Sequence, residues 1–216
     1  MELWTYKTDG TPVSPVLVIH SWWGLSPSFS DFASSLASKG FIVGLSDLFD
    51  GRTARTESEA RALRRRPRRV PTYRTLEADL TTLRGMTGGG NRKIGVVGFS
   101  MGGHWAVWLS QRPEYGIGAT VLYYAARAGD FSRSSSSILA HFAGGDPWVS
   151  HSARRSMEKA ISRAGLPYVA HDYPEAGHWF AECDRRDSFR PSDAALAFNR
   201  TTQHLRNALG NQETQD

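Results

Sequence analysis

The sequence places one serine where a nucleophile is expected, in the pentapeptide Gly98-Phe99-Ser100-Met101-Gly102. A short apolar run, Ile94–Val97, precedes it, and helix-compatible residues follow it. The pattern G-x-S-x-G between a strand and a helix is typical of a sharp turn that exposes a serine hydroxyl, and its glycines leave room for neighbouring backbone. The first amides of the following helix would face negative charge that develops on a bound carbonyl. The spacing predicts acyl transfer on Ser100. A glycine-rich turn in which the serine has no catalytic role would show the same five-residue pattern.

A serine nucleophile needs a base to take its proton and an acid to orient that base. His178 lies in Gly177-His178-Trp179-Phe180, in a loop after the last predicted strand, where an imidazole can reach over Ser100. We therefore predict that His178 is the base. The other histidines beyond the elbow helix lie within predicted strands or helices, namely His141, His151 and His204.

The predicted acid is Asp146, which stands in Gly144-Gly145-Asp146-Pro147 immediately after an apolar strand. The glycines allow the chain to turn, and the proline ends the strand. In hydrolases of this kind the chain order is Ser, then Asp or Glu, then His, which Asp146 satisfies. Two interpretations compete with this one: Asp146 is a turn former or helix cap, or the acid is Asp172 or Glu175.

An oxyanion hole needs two backbone amides that converge on the reacting oxygen. One is predicted to come from Met101, the residue after the nucleophile. The other is assigned to Trp22, in the aromatic loop that follows the strand Val16–His20. Trp22 also suits packing against the sheet, and the two roles are compatible because only its amide is needed for chemistry.

Further aromatic residues fall near the predicted carboxyl ends of strands and are candidates for the lining of a substrate pocket. They are Trp23, Phe99, Tyr123, Trp148 and Trp179. A pocket of this composition suits a hydrophobic or planar acyl group, although the same side chains serve equally well as ordinary core packing.

The elements that must position these residues alternate between strands and helices. The predicted strands are Glu2–Tyr6 at an edge, then Val16–His20, Phe41–Leu45, Ile94–Val97, Ala119–Tyr124, Ile138–Ala143 and Pro167–His171. Helices are predicted over Ser28–Lys39, from a cap at Thr56 through Leu63, and over Thr72–Met86, Val149–Ala164 and Ser192–Leu209. A further helix is predicted to open on the glycines after Ser100 and to run through Leu109. This order predicts an α/β fold in which a mainly parallel sheet is covered by helices on both faces.

Composition restricts the remaining function classes. The 216 residues are predicted to form one domain, 1–210, followed by a polar tail, 211–216. No apolar run is long enough to cross a membrane, and the first residues lack a signal segment, so a cytoplasmic location is expected. The single cysteine, Cys183, excludes an internal disulfide and a cysteine-based metal cluster.

The net charge of +5 is carried mostly by arginine. An arginine-rich segment, residues 52–69, is either a flap that holds an anionic substrate or a solvated face.

Together these pieces resemble the dienelactone hydrolase family, a branch of the α/β-hydrolase superfamily without a large cap domain. The matching segments run through most of the chain: His20-Ser21-Trp22-Trp23-Gly24, Asp47-Leu48-Phe49-Asp50-Gly51-Arg52, the serine turn, the Asp146–Val149 turn and Gly177-His178-Trp179-Phe180. The resemblance implies the α/β-hydrolase fold and a nucleophile, histidine and aspartate triad.

Two departures from the family pattern bear on the substrate. Members that open dienelactones carry a cysteine in the turn and a glutamate in the loop after the early strand, and this chain has Ser100 and Ser21 at those positions. An arginine that binds the substrate carboxylate in those enzymes is matched here by Glu182. The resemblance therefore implies the fold and the triad but leaves the substrate open.

The leading hypothesis is a serine hydrolase that cleaves an ester, lactone or thioester through an acyl-enzyme on Ser100. An acyltransferase or cyclase on the same triad is the alternative, and a non-catalytic module that binds anions or nucleic acid is a third. The expected partner is a small acyl substrate. No cofactor, metal, nucleic acid or membrane is expected, and the protein is expected to be a monomer or homodimer.

Overall fold

The computed structural model describes residues 3–7, 14–66, 70–88 and 92–210, and its centre is a seven-stranded sheet. The strands are β1 (Trp4–Tyr6), β2 (Ser14–Ile19), β3 (Phe41–Ser46), β4 (Ile94–Phe99), β5 (Ile117–Tyr123), β6 (Ser137–Gly145) and β7 (Tyr168–Gly177). The helices are α1 (Pro27–Ala37), α2 (Glu57–Arg65), α3 (Thr72–Gly85), α4 (Met101–Ser110), α5 (His151–Arg163) and α6 (Pro191–Leu209), and a short 3₁₀ turn covers Pro113–Tyr115.

The strand order is β1-β3-β2-β4-β5-β6-β7, and only β1 runs antiparallel to its neighbour. The chain enters at the edge strand β1, continues to β2 and then places β3 between these two strands, before β4 is added on the other side of β2. This reversal between β2 and β4 opens a crevice at the carboxyl ends of the two strands, where sites form in open parallel sheets. The predicted α/β-hydrolase fold with a mainly parallel sheet is confirmed.

Two apolar cores lie on opposite faces of the sheet. Helices α3, α4 and α5 cover one face, where Leu76 and Ile161 are buried, and α1 and α6 cover the other, where Phe29 and Leu205 are buried. Successive strand residues alternate between the faces, so that Val96 belongs to the first core while its neighbour Val97 belongs to the second. Burial on both faces explains why the central strands read as continuous apolar runs.

The structure differs from the sequence expectations mainly in element lengths. Strand β7 extends to Gly177, well beyond the predicted end at His171, so that His178 directly follows a strand. Strand β4 likewise runs to Phe99 and delivers Ser100 without an intervening loop. The predicted tail, 211–216, and the arginines at 68 and 69 lie outside the described residues.

Helix α2 begins at a capping box, in which the Thr56 side chain accepts a hydrogen bond from the amide of Glu59 and the Glu59 carboxylate accepts one from the amide of Thr56. The segment between β3 and β4 contributes only α2 and α3 within its described part, in agreement with the absence of a large cap. Across the described ranges, none of the helices combines the length and the apolar character needed to cross a bilayer.

Candidate active site

Ser100 occupies a strained turn between β4 and α4. Its backbone has φ 50° and ψ −111°, a conformation that residues other than glycine rarely adopt. Its amide donates a hydrogen bond to the carbonyl of Tyr123 at 2.9 Å, which ties the turn to the end of the neighbouring strand β5. The geometry holds the Ser100 hydroxyl above the carboxyl edge of the sheet, as a nucleophile elbow requires.

The two glycines of the pentapeptide are required by close backbone contacts. A Cβ at Gly98 would overlap the backbone of Gly102 and Gly103, and a Cβ at Gly102 would overlap the carbonyls of Ile19 and His20. The start of α4 therefore lies directly against the end of β2. Side chains at either glycine would push the elbow away from that strand.

The structure brings Ser100, His178 and Asp146 into one chain of hydrogen bonds. Ser100 Oγ lies 2.8 Å from His178 Nε2, and His178 Nδ1 lies 2.7 Å from Asp146 Oδ2. Because a carboxylate can only accept, Nδ1 carries the hydrogen and Nε2 presents its lone pair to the serine hydroxyl. The histidine and aspartate side chains are each only 4% exposed, so water competes little for these bonds.

Strand register explains why the aspartate and the histidine meet. Strands β6 and β7 are parallel neighbours, and Gly145 pairs with Gly177 at their ends. Asp146 and His178 are the next residues of each strand, so they leave the sheet side by side. Asp146 Oδ1 also accepts hydrogen bonds from the amides of Trp148 and Val149, at 2.8 and 3.1 Å, which fix the carboxylate beside the imidazole.

The two residues assigned to the oxyanion hole lie on either side of the elbow. Met101 is the first residue of α4, whose amino end carries partial positive charge. Trp22 lies in the loop after β2, which the contact between Gly102 and the carbonyls of Ile19 and His20 holds against the elbow. The arrangement is compatible with the predicted role of the Trp22 and Met101 amides.

A cavity of about 130 Å³ opens beside Ser100. Its lining combines aromatic side chains with Ser100, His178 and two further basic residues: Trp22, Arg64, Ser100, Met101, His104, Tyr124, Trp148, Val149, His178 and Trp179. Of the five candidate pocket residues, Trp148 and Trp179 therefore line the cavity.

The other three candidate pocket residues are buried elsewhere, which corrects the sequence interpretation. Phe99 and Tyr123 stack on each other with ring centroids 4.4 Å apart in the core beneath α1 and α6, because their positions in β4 and β5 point to that face. Trp23 is also buried, where its ring packs edge-on against Trp179 and carries the Arg185 guanidinium at 4.4 Å.

Tyr124 is a cavity residue that sequence reasoning missed in favour of its neighbour Tyr123. It follows the end of β5 with φ 39°, which interrupts the alternation of side chains and turns the Tyr124 ring toward the site. Its centroid lies 4.9 Å from the His178 imidazole. The repeated tyrosine at the strand end was the available signal, but the positive φ that distinguishes the two is not visible in the sequence.

Three indoles form a wall beside the cavity. Trp22 lies 5.0 Å from Trp148 and 5.9 Å from Trp179, measured between ring centroids, and Trp148 lies 6.0 Å from Trp179. The Arg61 guanidinium of α2 lies 5.4 Å from the rings of both Trp22 and Trp148. The described part of the arginine-rich segment thus reaches the site through Arg61 and through the cavity residue Arg64.

The competing residues occupy other environments. Asp172 forms an ion pair with Arg154 at 2.7 Å, and Glu175 is exposed. His141 is fully buried between Tyr173 and Thr201, as its place in an apolar strand predicted, and burial holds its pKa well below the usual range. Among the described residues, no group of three or more histidine, cysteine or acidic side chains is arranged to hold a metal ion.

The chain matches the sequence profile of the dienelactone hydrolase family over residues 2–209. It is 24% identical over 205 residues to a Bradyrhizobium protein named "Probable 2-oxo-3-(5-oxofuran-2-ylidene)propanoate lactonase", with 88% of this chain and 82% of the relative covered.

Solved structures share the fold at lower sequence identity. A dienelactone hydrolase-like promiscuous phosphotriesterase from metagenomic libraries superposes with a TM-score of 0.78 at 19% identity, over 94% of this chain and 89% of the other. Esterase 2 from Thermogutta terrifontis, solved as its cyclosarin phosphonylation product, gives 0.68 at 15% identity, over 95% and 88%.

Proposed function

Because this chain belongs to the dienelactone hydrolase family, we propose that it is a serine hydrolase that cleaves a carboxylic ester, lactone or thioester. The observation that carries the proposal is the pair of hydrogen bonds from Ser100 to His178 and from His178 to Asp146, on an elbow with positive φ. This is the constellation that activates a serine hydroxyl in acyl transfer.

Catalysis would begin with attack of Ser100 Oγ on the substrate carbonyl carbon while His178 Nε2 takes the hydroxyl proton. The carbonyl oxygen becomes an oxyanion, which the amides of Met101 and Trp22 would stabilise. Collapse of this intermediate breaks the bond to the leaving group, and His178 returns the proton to that group. An acyl ester on Ser100 remains.

Release of the acyl group would repeat the same proton transfers with water. His178 takes a proton from water as its oxygen attacks the acyl carbon, and the proton then passes to Ser100 Oγ as the acid leaves. Asp146 would keep the imidazole in one tautomer and stabilise the imidazolium in both halves of the reaction. The near-complete burial of the Asp146 and His178 side chains supports this role.

The cavity supports a compact acyl group as substrate. Its volume of about 130 Å³ is small, and indole and phenol rings form much of its wall. Arg64 adds a guanidinium that suits a negative charge on the acyl group. The lactonase name of the Bradyrhizobium relative makes a small lactone with a carboxylate a suitable substrate to test beside simple esters.

Labelling with a fluorophosphonate probe tests the proposal. The parent protein should be labelled and should hydrolyse p-nitrophenyl acetate, whereas Ser100→Ala should lose both properties. Ser35→Ala, an exposed serine on α1, is the matched control and should behave as the parent. An unlabelled parent would refute the serine hydrolase, and equal labelling of the Ser100→Ala variant would assign the nucleophile to another residue.

A further inference from the structure

Glu182 is a fully buried acid next to the site that the triad mechanism does not use. Its Oε2 accepts a hydrogen bond from the Ser21 hydroxyl and its Oε1 accepts one from the Tyr124 hydroxyl, both at 2.9 Å. The two donors are far apart in the chain and come from different edges of the site. A single carboxyl group therefore connects them.

Each partner of Glu182 is adjacent to a part of the proposed machinery. Ser21 directly precedes Trp22, and its Oγ also accepts a hydrogen bond from the Trp23 amide at 3.4 Å. It therefore lies in the loop after β2, residues 21–25, which carries the Trp22 amide and is called the oxyanion loop below. Tyr124 lies with its ring against the His178 imidazole. The Glu182 amide donates a hydrogen bond to the carbonyl of Trp179 at 3.0 Å. This bond forms a turn in the segment after β7, residues 178–182, which carries His178 and is called the histidine loop below.

From these contacts, and on the basis of the proposed function, we infer that Glu182 is a positioning residue that braces the oxyanion loop and the histidine loop against each other. Ser21 transmits the brace to the Trp22 amide, and Tyr124 transmits it to the imidazole of His178. Triad and oxyanion geometry must be held to a fraction of an ångström, so loosening either loop slows the chemical step more than it weakens substrate binding.

The charge state of Glu182 agrees with this role. Burial raises the pKa of its carboxyl to about 8, although the hydrogen bonds with Tyr124 and Ser21 lower it. Asp184 makes a smaller upward contribution and Arg185 a smaller downward one. The facing groups from other elements are the hydroxyls of Ser21 and Tyr124, and burial also raises the pKa of the Tyr124 phenol. At neutral pH the carboxyl is mostly protonated, so its own O–H donates in one of these two hydrogen bonds. Raising the pH through about 8 places a negative charge beside Ser21 and the proposed oxyanion site, which opposes the charge that develops on the substrate carbonyl oxygen.

Steady-state kinetics with p-nitrophenyl acetate on the purified protein test the brace. Ser21→Ala and Tyr124→Phe are each expected to lower kcat about 10- to 100-fold with little change in KM. Because both act through one carboxyl, the two losses should not multiply in the double variant, and Ser21→Ala should cost little more in a Glu182→Ala background. Circular dichroism establishes that each variant is folded.

The pH profile separates positioning from mere stability. The parent should lose activity as the pH rises through about 8, and Glu182→Gln, which keeps the shape but cannot ionise, should lack that limb. Asp79→Asn is the control, because Asp79 is another buried acid that accepts from a serine hydroxyl, Ser46, but on α3 away from the site. It should leave both kcat and the profile unchanged.

The outcomes also distinguish this inference from the proposed function. A folded Ser21→Ala variant with parental kcat, multiplicative losses, or a profile that is unchanged in Glu182→Gln would each overturn the brace while fluorophosphonate labelling of Ser100 persists. Failure of the proposed function would instead appear as an unlabelled and inactive parent.

Discussion

Both carboxylate oxygens of Asp146 accept hydrogen bonds within the site. Oδ1 takes the amides of Trp148 and Val149, and Oδ2 takes His178 Nδ1. The residue therefore combines the turn-forming role that its Gly-Gly-Asp-Pro context indicated with contact to the imidazole. The sequence presented these as alternatives, but a carboxylate has enough acceptor sites for both.

At this scale we predict that Asp146→Asn lowers kcat about 10⁴-fold. The amide can replace Oδ1 in the turn, but its NH₂ group toward His178 favours the wrong imidazole tautomer. Steady-state kinetics with p-nitrophenyl acetate measure the loss of kcat.

The matched control is Asp172→Asn, an acid on β7 whose carboxylate pairs with Arg154 and is 56% exposed. A loss below about twofold is expected there, because exposed ion pairs contribute little. A similar loss of kcat in both variants would show that Asp146 is not the acid that orients His178.

At the scale of elements, the site depends on how closely helix α4 approaches strand β2. Gly102 is the contact point, since its Cα faces the carbonyls of Ile19 and His20 without room for a side chain. The same contact holds the loop with Trp22 beside the first amide of α4. The G-x-S-x-G spacing thus sets the distance between two elements as well as the shape of a turn.

Gly102→Ala is therefore expected to destabilise the protein by about 3 kcal/mol and to abolish activity, because the obstructing atoms are backbone and cannot rotate away. Chemical denaturation monitored by tryptophan fluorescence measures the change. Gly85→Ala, at the end of α3, is the control, because the added carbon meets no atom within 4 Å outside its own turn of the helix. It should be neutral or stabilising by up to about 1 kcal/mol, as helix propensity predicts. A Gly102→Ala variant as stable as Gly85→Ala would contradict the close contact.

For the whole molecule, two cores closed over both faces of the sheet leave some acids inside. Asp79 on α3 and Glu182 beside the site are both buried, and burial raises their pKa values to about 6 and about 8. A carboxyl whose pKa is higher in the folded than in the unfolded chain binds more protons when folded. Its effect is to make folding less favourable as the pH rises from the unfolded value to the folded one.

We predict that the free energy of unfolding of the parent falls relative to that of an Asp79→Asn, Glu182→Gln double variant between about pH 4 and pH 8. Each acid lowers the free energy of unfolding by at most about 1.4 kcal/mol per pH unit, and only between its unfolded and its folded pKa. This pH range ends near pH 6 for Asp79 and near pH 8 for Glu182. Urea unfolding at pH 5, 6.5 and 8 measures the difference. A constant difference across this range would show that neither acid titrates as its burial implies.

The sequence by itself predicted the α/β sheet, the strained serine turn, and the order of serine, aspartate and histidine at the ends of successive elements. Such features are local, since apolar runs, glycine spacing and strand-ending residues lie close together in the chain. Asp146 and His178 each follow a strand, and neighbouring parallel strands end at the same edge of the sheet. Their proximity therefore follows from the strand order.

Only the tertiary structure decided which aromatic side chains face the cavity and how the loops are joined. Phe99 and Tyr123 lie in the core because strand alternation directs them there, while the positive φ of Tyr124 turns its ring to the site. The hydrogen bond from Ser21 to Glu182 joins residues 161 positions apart, and no local pattern encodes such a contact. Side-chain direction at strand ends and contacts between distant loops depend on how the elements pack, and that information is distributed over the whole chain.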